Sequence, residues 1–176
     1  MAEGWGTGEL WFDGETLLLH ELPSGTGTGI GASPLNELAE RLRSYFGGGR
    51  DSFADVAIDL EGYTDFQRAV VETLRGVPFG EVVTYGELAA LAGYPNAQRA
   101  AGSVCAGNRF PVVVPCHRVV AANGIGRYGV SGVEYKRRLL GLENVGFARD
   151  ADLEAAAASP ARPSKPGGVE ARWKLL

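Results

Sequence analysis

The chain has 176 residues, of which 45% are hydrophobic and 22% are charged, and its formal net charge is −4. This composition is ordinary for a globular protein, and since no run of about 18 apolar residues occurs, no transmembrane helix is expected. Only two cysteines (Cys105 and Cys116) and two histidines (His20 and His117) are present, which excludes a disulfide framework and predicts that no metal is bound. With no signal-peptide pattern at the N-terminus, these features favour a cytoplasmic protein.

Charge is distributed unevenly along the chain. Residues 1–75 hold thirteen acidic and five basic side chains, whereas residues 76–143 hold four acidic and seven basic ones. The second region is therefore locally basic within an acidic protein. Such a region favours binding to a phosphate backbone, although an ordinary solvated surface would explain the charge equally well.

The N-terminal residues predict a β-hairpin. Residues 9–12 and 15–22 flank Asp13-Gly14, a pair suited to the left-handed angles of a tight turn. His20 lies on the predicted second strand, beside a run of leucines. We interpret His20 as a structural residue and not as a ligand.

A helix and a further strand follow in the first region. Ser33-Pro34 predicts the helix start, with the serine as N-cap and the proline at the first helical position. Apolar residues recur at helical spacing as far as Phe46, and Gly47–Gly49 end the helix. Alternating apolar residues at 56–60 predict a half-buried strand. Nothing in this first region carries chemistry.

Two capping boxes mark helix starts in the second region. Thr64 and Gln67 form the first, ahead of a helix that ends at Gly76. Thr84 and Glu87 form the second, ahead of a shorter helix. The spacing of these signals predicts two helices joined by a short connection.

A third helix is predicted at residues 97–106, with Asn96 as its N-cap. Two short helices joined by a few turn residues are typical of a helix-turn-helix. The third helix consists largely of small residues, Ala100 and Gly102 among them, which permit either close approach to a DNA groove or tight packing. Arg99 lies in its first turn, where recognition helices usually meet DNA.

The stretch from Pro111 to Val120 carries the candidate nucleophile. Two prolines bracket an apolar run and predict a rigid, strand-like segment that presents Cys116. A lone cysteine is often an inert core residue. Here His117 follows it directly, and histidine is the usual partner for generating a thiolate.

A hairpin and a last helix complete this region. Asn123-Gly124 separates the short strand-like runs 118–122 and 125–128, and this pattern predicts a hairpin. A helix-turn-helix followed by a hairpin has the plan of a winged helix. The final helix is predicted at 133–143, which puts Glu143 on or beside its packed side, where a carboxylate needs a partner.

Residues from about 63 to 145 resemble the C-terminal domain of the 6-O-alkylguanine-DNA alkyltransferases, also called methylated-DNA–protein-cysteine methyltransferases. The motif Pro-Cys-His-Arg-Val at 115–119 is its most specific part. The other matching positions are Tyr85-Gly86-Glu87, Arg99-Ala100, Gly107-Asn108, Tyr128 and Glu143.

The resemblance implies an α+β fold, with a small N-terminal α/β domain at 1–62 and a winged helix-turn-helix domain carrying the reactive cysteine at 63–145. Residues 146–176 form a C-terminal extension beyond the family core. Ala155–Ala158 could continue a helix, and the prolines and glycines that follow predict a flexible linker. For residues 169–176, docking onto the body and disorder are both open.

The resemblance also implies a suicidal, single-turnover DNA repair reaction. The protein would rotate a 6-O-alkylguanine out of the duplex and transfer its alkyl group irreversibly to Cys116. His117 would act as base through a water, Glu143 would orient the imidazole, and Asn108 would brace the turns around the site. Tyr85 would contact the flipped base and press on the DNA backbone.

Further roles follow from the same resemblance. Arg99 would fill the gap left by the rotated nucleotide. The implied DNA contacts are Arg99, Tyr85, Ala100, Gly102, Arg109 and Arg118, and the implied pocket residues are Val119, Tyr128, Ser131 and Cys105. The expected partner is double-stranded DNA containing alkylated guanine, bound by a monomer without any cofactor or membrane. The loop 128–132 is one residue longer than the family pattern, so the tolerated alkyl size does not follow from the resemblance.

Two other functional classes are compatible with parts of the sequence. A non-catalytic alkyl-DNA binder would flag lesions for other repair systems, but such relatives lack the reactive cysteine that is present here as Cys116. A winged-helix transcription regulator would carry this cysteine incidentally. It would bind a specific operator and form no thioether.

Overall fold

The structure is a computed structural model that describes residues 4–25 and 37–146 in full and the backbone of residues 169–174. Its contacts divide into two compact units. The first contains the described residues up to Glu61, the segment Arg109–Val113 and the C-terminal strand. The second contains Gly62–Asn108 and the described residues from Val114 to 146. Among the described helices, none is both long and apolar enough to cross a membrane.

The first unit is built on an antiparallel sheet. Strands β1 (Thr7–Asp13) and β2 (Thr16–Ser24) form the predicted hairpin. Its turn residues are Gly14 and Glu15, one position later than predicted, with Gly14 in the left-handed region at φ 57° and Asp13 paired with Thr16. Strand β5 (Val169–Lys174) pairs antiparallel with β1, so that the sheet order is β2-β1-β5. Residues 169–174 thus pair with the sheet as a strand, one of the two outcomes left open by the sequence. The helix and the linker predicted earlier in the extension lie outside the described residues.

Helix α1 (Glu37–Phe46) supplies aromatic and aliphatic side chains to the core of this unit. Its buried large residues are Leu38, Leu42, Tyr45 and Phe46. The helix start predicted at Ser33-Pro34 lies outside the described residues. The strand predicted at 56–60 is reduced to one parallel bridge, between Leu17 and Ile58.

His20 is a buried structural residue of the first unit. Its Nδ1 donates a hydrogen bond of 2.6 Å to the carbonyl oxygen of Pro111, and its side chain is almost wholly buried. Burial lowers the pKa of His20 to about 4, although this hydrogen bond opposes the change. The imidazole is therefore neutral at neutral pH.

The second unit begins with the two predicted capped helices. Helix α2 (Asp65–Arg75) begins after Thr64 and helix α3 (Tyr85–Leu91) after Thr84, and both capping boxes form in full. Gly76 caps the C-terminus of α2. These two predictions are confirmed because a capping box depends only on residues three positions apart.

Helix α4 (Gln98–Ala106) packs against α3, and α2 contacts both. The predicted N-cap, Asn96, was wrong by one position: Ala97 is the N-cap and provides no side-chain hydrogen bond. Asn96 instead has φ 68° and belongs to the preceding turn, a conformation that asparagine tolerates better than most residues.

The segment that carries Cys116 differs from the prediction. Cys116–Arg118 form a 3-10 turn and not a strand. The Cys116 amide donates to the Val114 carbonyl at 2.8 Å, and the Arg118 amide donates to the Pro115 carbonyl at 2.9 Å. These local bonds turn the chain, which re-enters extended structure only at β4 (Val119–Val120), paired in parallel with β3 (Val83–Thr84).

The predicted hairpin around Asn123-Gly124 is much shorter than expected. A turn closes through a hydrogen bond and a single antiparallel bridge between Ala121 and Gly124. Within residues 37–146, this bridge is the only β-pairing between the runs on either side of Asn123-Gly124. Strand β4 pairs with β3 instead. After a 3-10 turn at Gly129–Ser131, helix α5 (Gly132–Leu142) brings Glu143 to its C-terminal end.

Candidate active site

The sulfur of Cys116 lies in a polar cradle inside the second unit. Only 7% of the residue is exposed. Asn108 Nδ2 lies 3.0 Å from Cys116 Sγ and donates at 2.8 Å to the Val114 carbonyl oxygen. Because a carbonyl oxygen can only accept, this second contact identifies the Asn108 nitrogen as the atom that faces the sulfur. Asn108 therefore ties the thiol to the turn before it.

The resting thiol is protonated. Burial raises the pKa of Cys116, while the Asn108 hydrogen bond, the charge of Lys136 and the nearby Tyr128 hydroxyl oppose that effect without cancelling it. Only the thiolate is a strong nucleophile. The site therefore needs a base that removes the proton when substrate is present.

His117 belongs to a buried network centred on Glu143. His117 Nε2 lies 2.8 Å from Glu143 Oε1, and both side chains are completely buried. Arg118 grips the same carboxylate at two points, from Nε to Oε2 and from Nη2 to Oε1, each at 2.9 Å. The amide of Gly80 donates to Oε2 at 3.0 Å. The buried carboxylate of Glu143 is therefore fully hydrogen-bonded, as expected for a carboxylate on the packed side of a helix.

The charges in this network determine which nitrogen of His117 is basic. Burial alone would raise the pKa of Glu143, but hydrogen bonds from His117, Arg118 and Gly80 hold it well below its usual value. Burial lowers the pKa of His117, although the Glu143 contact opposes this. A neutral imidazole must therefore donate Nε2–H to the carboxylate, which leaves Nδ1 as the basic nitrogen.

Arg118 is not a surface cation. The sequence reading assigned it to DNA contact, but only 3% of the residue is exposed. Its remaining guanidinium nitrogen, Nη1, donates to the Val77 carbonyl at 2.7 Å. Its burial argues against that prediction, because the Arg118 guanidinium binds the carboxylate of Glu143 and the carbonyl oxygen of Val77.

Lys136 is a site residue that the sequence reading missed. Its side chain is fully buried, and Nζ donates to the carbonyl oxygen of Val119 and, at 3.4 Å, to that of Arg127. A signal was present in the sequence, because Lys136 precedes Leu139 and Leu140 by three and four positions, on the apolar face of α5. Val119, expected in the pocket, is buried and holds Lys136 through its carbonyl.

Tyr85 projects from the start of α3 and packs between two glycines. A Cβ atom at Gly102 would lie 3.8 Å from its ring, and one at Gly126 would lie 3.5 Å from it. Burial raises the pKa of Tyr85, so that its hydroxyl keeps its proton. The small residue at Gly102 therefore allows the Tyr85 ring to pack on α4.

The remaining predicted residues differ in exposure. Arg99 and Ala100 are exposed on the first turn of α4. Arg109 lies in the first unit, where it donates to the carbonyl oxygen of Asp59 at 2.8 Å and to its carboxylate at 3.2 Å. Ser131 is partly exposed at the start of α5.

Cys105, the second thiol, is partly exposed on α4. Burial of its sulfur raises its pKa, and a thiolate at Cys116 would raise it further, which leaves it a protonated and weak nucleophile. Among the described residues, no group of three or more His, Cys, Asp or Glu side chains is arranged to hold a metal ion.

Comparison with known proteins finds one matching family model and several similar chains. The family model of the 6-O-methylguanine DNA methyltransferase DNA-binding domain matches residues 65–145. The methylated-DNA–protein-cysteine methyltransferase of Methanosarcina acetivorans is 44% identical over 107 residues, which are 61% of this chain and 67% of that protein. The Methanopyrus kandleri protein of the same name is 42% identical over 119 residues, 68% of this chain and 88% of its own length.

A similar fold is found among solved structures. The crystal structure of Mycobacterium tuberculosis OGT in complex with DNA superposes with a TM-score of 0.64 and 35% sequence identity. The match covers 77% of this chain and 85% of that one.

Proposed function

Because this chain belongs to the family of the methylated-DNA–protein-cysteine methyltransferases, we propose that it repairs DNA by moving an alkyl group from oxygen 6 of guanine onto Cys116. Each molecule acts once, since the thioether that forms is not hydrolysed. The reaction is carried by the region 63–145, which holds the whole polar network around the cysteine.

One observation carries the proposal. A thiol held by Asn108 lies directly before a histidine whose Nε2 is bound to a fully buried carboxylate. A buried cysteine with only a packing role needs no adjacent base. A buried base of this kind is expected where a thiol must be activated as a nucleophile.

The chemistry follows from the protonation states. His117 Nδ1 takes the thiol proton through an intervening water, and Glu143 stabilises the imidazolium that forms. The sulfur then attacks the alkyl carbon, the S–C bond forms, and the C–O bond breaks with its electron pair left on guanine. The hydroxyl of Tyr85, which keeps its proton because burial raises its pKa, gives that proton to guanine and is reprotonated by the proton that His117 took from the thiol. Both products are neutral.

Access to the target requires base flipping, because oxygen 6 lies inside the stacked duplex. We assign α3 and α4 to a helix-turn-helix within a winged-helix domain, with α4 as the recognition helix. Its exposed residues Arg99 and Ala100 face the DNA, and Arg99 enters the gap left by the nucleotide. Tyr85, Tyr128 and Ser131 line the pocket that receives the base.

The test is an intact-mass measurement after incubation with duplex DNA that contains 6-O-methylguanine. We expect a gain of one methyl group per molecule, and peptide mapping should find it on Cys116 and not on Cys105. Binding to the damaged duplex without a mass change would favour a lesion-flagging protein. Binding that ignores the lesion and follows DNA sequence would favour a transcription regulator.

A further inference from the structure

Helix α5 contributes one buried cation to the surroundings of the reactive thiol. Lys136 is completely buried, and α5 packs against both 3-10 turns, at Cys116–Arg118 and at Gly129–Ser131. Removing an ammonium group from water is costly unless it gains partners. Its position therefore calls for an explanation beyond packing.

The two acceptors of Lys136 belong to the two backbone segments that define the site. Val119 accepts from Nζ through its carbonyl, and its own amide donates to the carbonyl of Cys116. Arg127 also accepts from Nζ, and the next residue, Tyr128, is buried near the Cys116 thiol, whose pKa its hydroxyl lowers. Lys136 thus joins the segment that carries the thiol to the segment that carries Tyr128.

The charge of Lys136 acts on the reacting groups. It lowers the pKa of Cys116, in opposition to burial, and it also lowers the pKa of His117. Burial lowers the pKa of Lys136 itself to about 8, and a thiolate at Cys116 or Cys105 would oppose this. The other titratable groups around the thiol and the base are Tyr85 on α3, Arg118, Tyr128 and Glu143.

We propose that Lys136 is a positioning residue for alkyl transfer, which holds the Cys116 and Tyr128 segments together and stabilises the negative charge that develops on the Cys116 sulfur. The inference rests on the proposed function, in which Cys116 is the acceptor. When the thiol loses its proton to His117, an opposite charge in the same buried region offsets the cost of a thiolate away from water.

The test separates the charge from the hydrogen bonds. Lys136→Gln keeps a donor but removes the charge, Lys136→Met removes both, and Lys136→Arg keeps the charge. Arg138→Gln removes a charge from an exposed position of the same helix and serves as the control. The readout is the rate at which iodoacetamide labels Cys116 as a function of pH, resolved from Cys105 by peptide mass spectrometry.

We expect the labelling midpoint of Lys136→Gln and Lys136→Met to move to higher pH, with about a tenfold loss of rate at neutral pH. Lys136→Arg should stay close to the wild type, and so should Arg138→Gln. A folded Lys136→Gln variant with the wild-type midpoint would overturn the proposal and leave Lys136 as a structural tie alone. If neither neutral variant folds, a midpoint of Lys136→Arg raised by a full pH unit would overturn it.

Labelling by iodoacetamide needs no alkylated guanine, so this result does not depend on the repair reaction. A wild-type protein that gained no alkyl group from damaged DNA would refute the proposed function. The effect of Lys136 on the thiol could still be measured in that case. Alkyl-transfer rates from free 6-O-benzylguanine, measured for the same variants, connect the reactivity of the thiol with the repair reaction. These transfer rates should fall in parallel with the iodoacetamide labelling rates.

Discussion

Nε2 of His117 lies 2.8 Å from Oε1 of Glu143, and neither side chain is exposed to solvent. The contact fixes the tautomer of the imidazole and raises its pKa against the effect of burial. The nitrogen available to accept a proton is therefore Nδ1. Glu143 acts on the thiol only through His117.

Removing either member of this pair should produce a rate loss that depends on pH. His117→Ala should slow transfer from 6-O-benzylguanine about a hundredfold at neutral pH, since a positioned base is worth at least that much. Glu143→Gln lowers the pKa of His117 further and should slow the reaction less. In both variants the rate should recover as rising pH ionises the thiol unaided. A loss of equal size at every pH would instead indicate a damaged fold.

Arg118 should matter for stability more than any exposed arginine. Arg118→Met leaves the Glu143 carboxylate buried without its bidentate partner, which costs about 3–5 kcal/mol for pairs of this kind. The double variant Arg118→Met/Glu143→Gln removes both charges and should lose less than the sum of the single changes. Urea unfolding of the three variants measures the coupling. Additive effects, within about 0.5 kcal/mol, would show that the pair does not act as a unit.

Arg99 separates base extrusion from chemistry. If it fills the vacated position in the stack, it offsets an unstacking cost of a few kcal/mol. Arg99→Ala should then greatly slow single-turnover repair of saturating duplex DNA, yet leave the reaction with free 6-O-benzylguanine nearly unchanged. A simple phosphate contact predicts a weaker affinity and a salt slope lower by about one, with the saturating rate preserved. An unchanged saturating rate would therefore remove the intercalating role.

His20 should make the protein less stable in mild acid. Burial lowers its pKa from 6.5 to about 4. Between these pH values the unfolded chain binds a proton at His20 that the folded protein excludes. The contribution of neutral His20 to the unfolding free energy is therefore fully present above pH 6.5 and is lost as the pH falls toward 4. The variant His20→Asn can still donate to Pro111 but does not titrate. From pH 7 to pH 5 the wild type should lose about 2 kcal/mol more unfolding free energy than the variant. Equal losses would contradict the assignment.

Local signals in the sequence determined much of the fold. The N-terminal hairpin, apart from a shift of one position in its turn, and the capping boxes at Thr64 and Thr84 were correctly predicted, because each depends on residues only a few positions apart. The pairing of a cysteine with a histidine, and the need of Glu143 for a partner, were also readable from position and residue type. No property of the distant chain was required.

Only the tertiary structure decided which partners those groups have. Arg118 reads as a surface cation in the sequence, but it grips Glu143, 25 residues away. Lys136 reads as an ordinary helix residue, but it is buried against the carbonyl of Val119. The 3-10 turn at Cys116–Arg118 replaced an expected strand. Arg118 and Lys136 are buried polar groups, and such groups need hydrogen-bond partners. Which partners lie within reach depends on how helices and turns that are distant in sequence pack together.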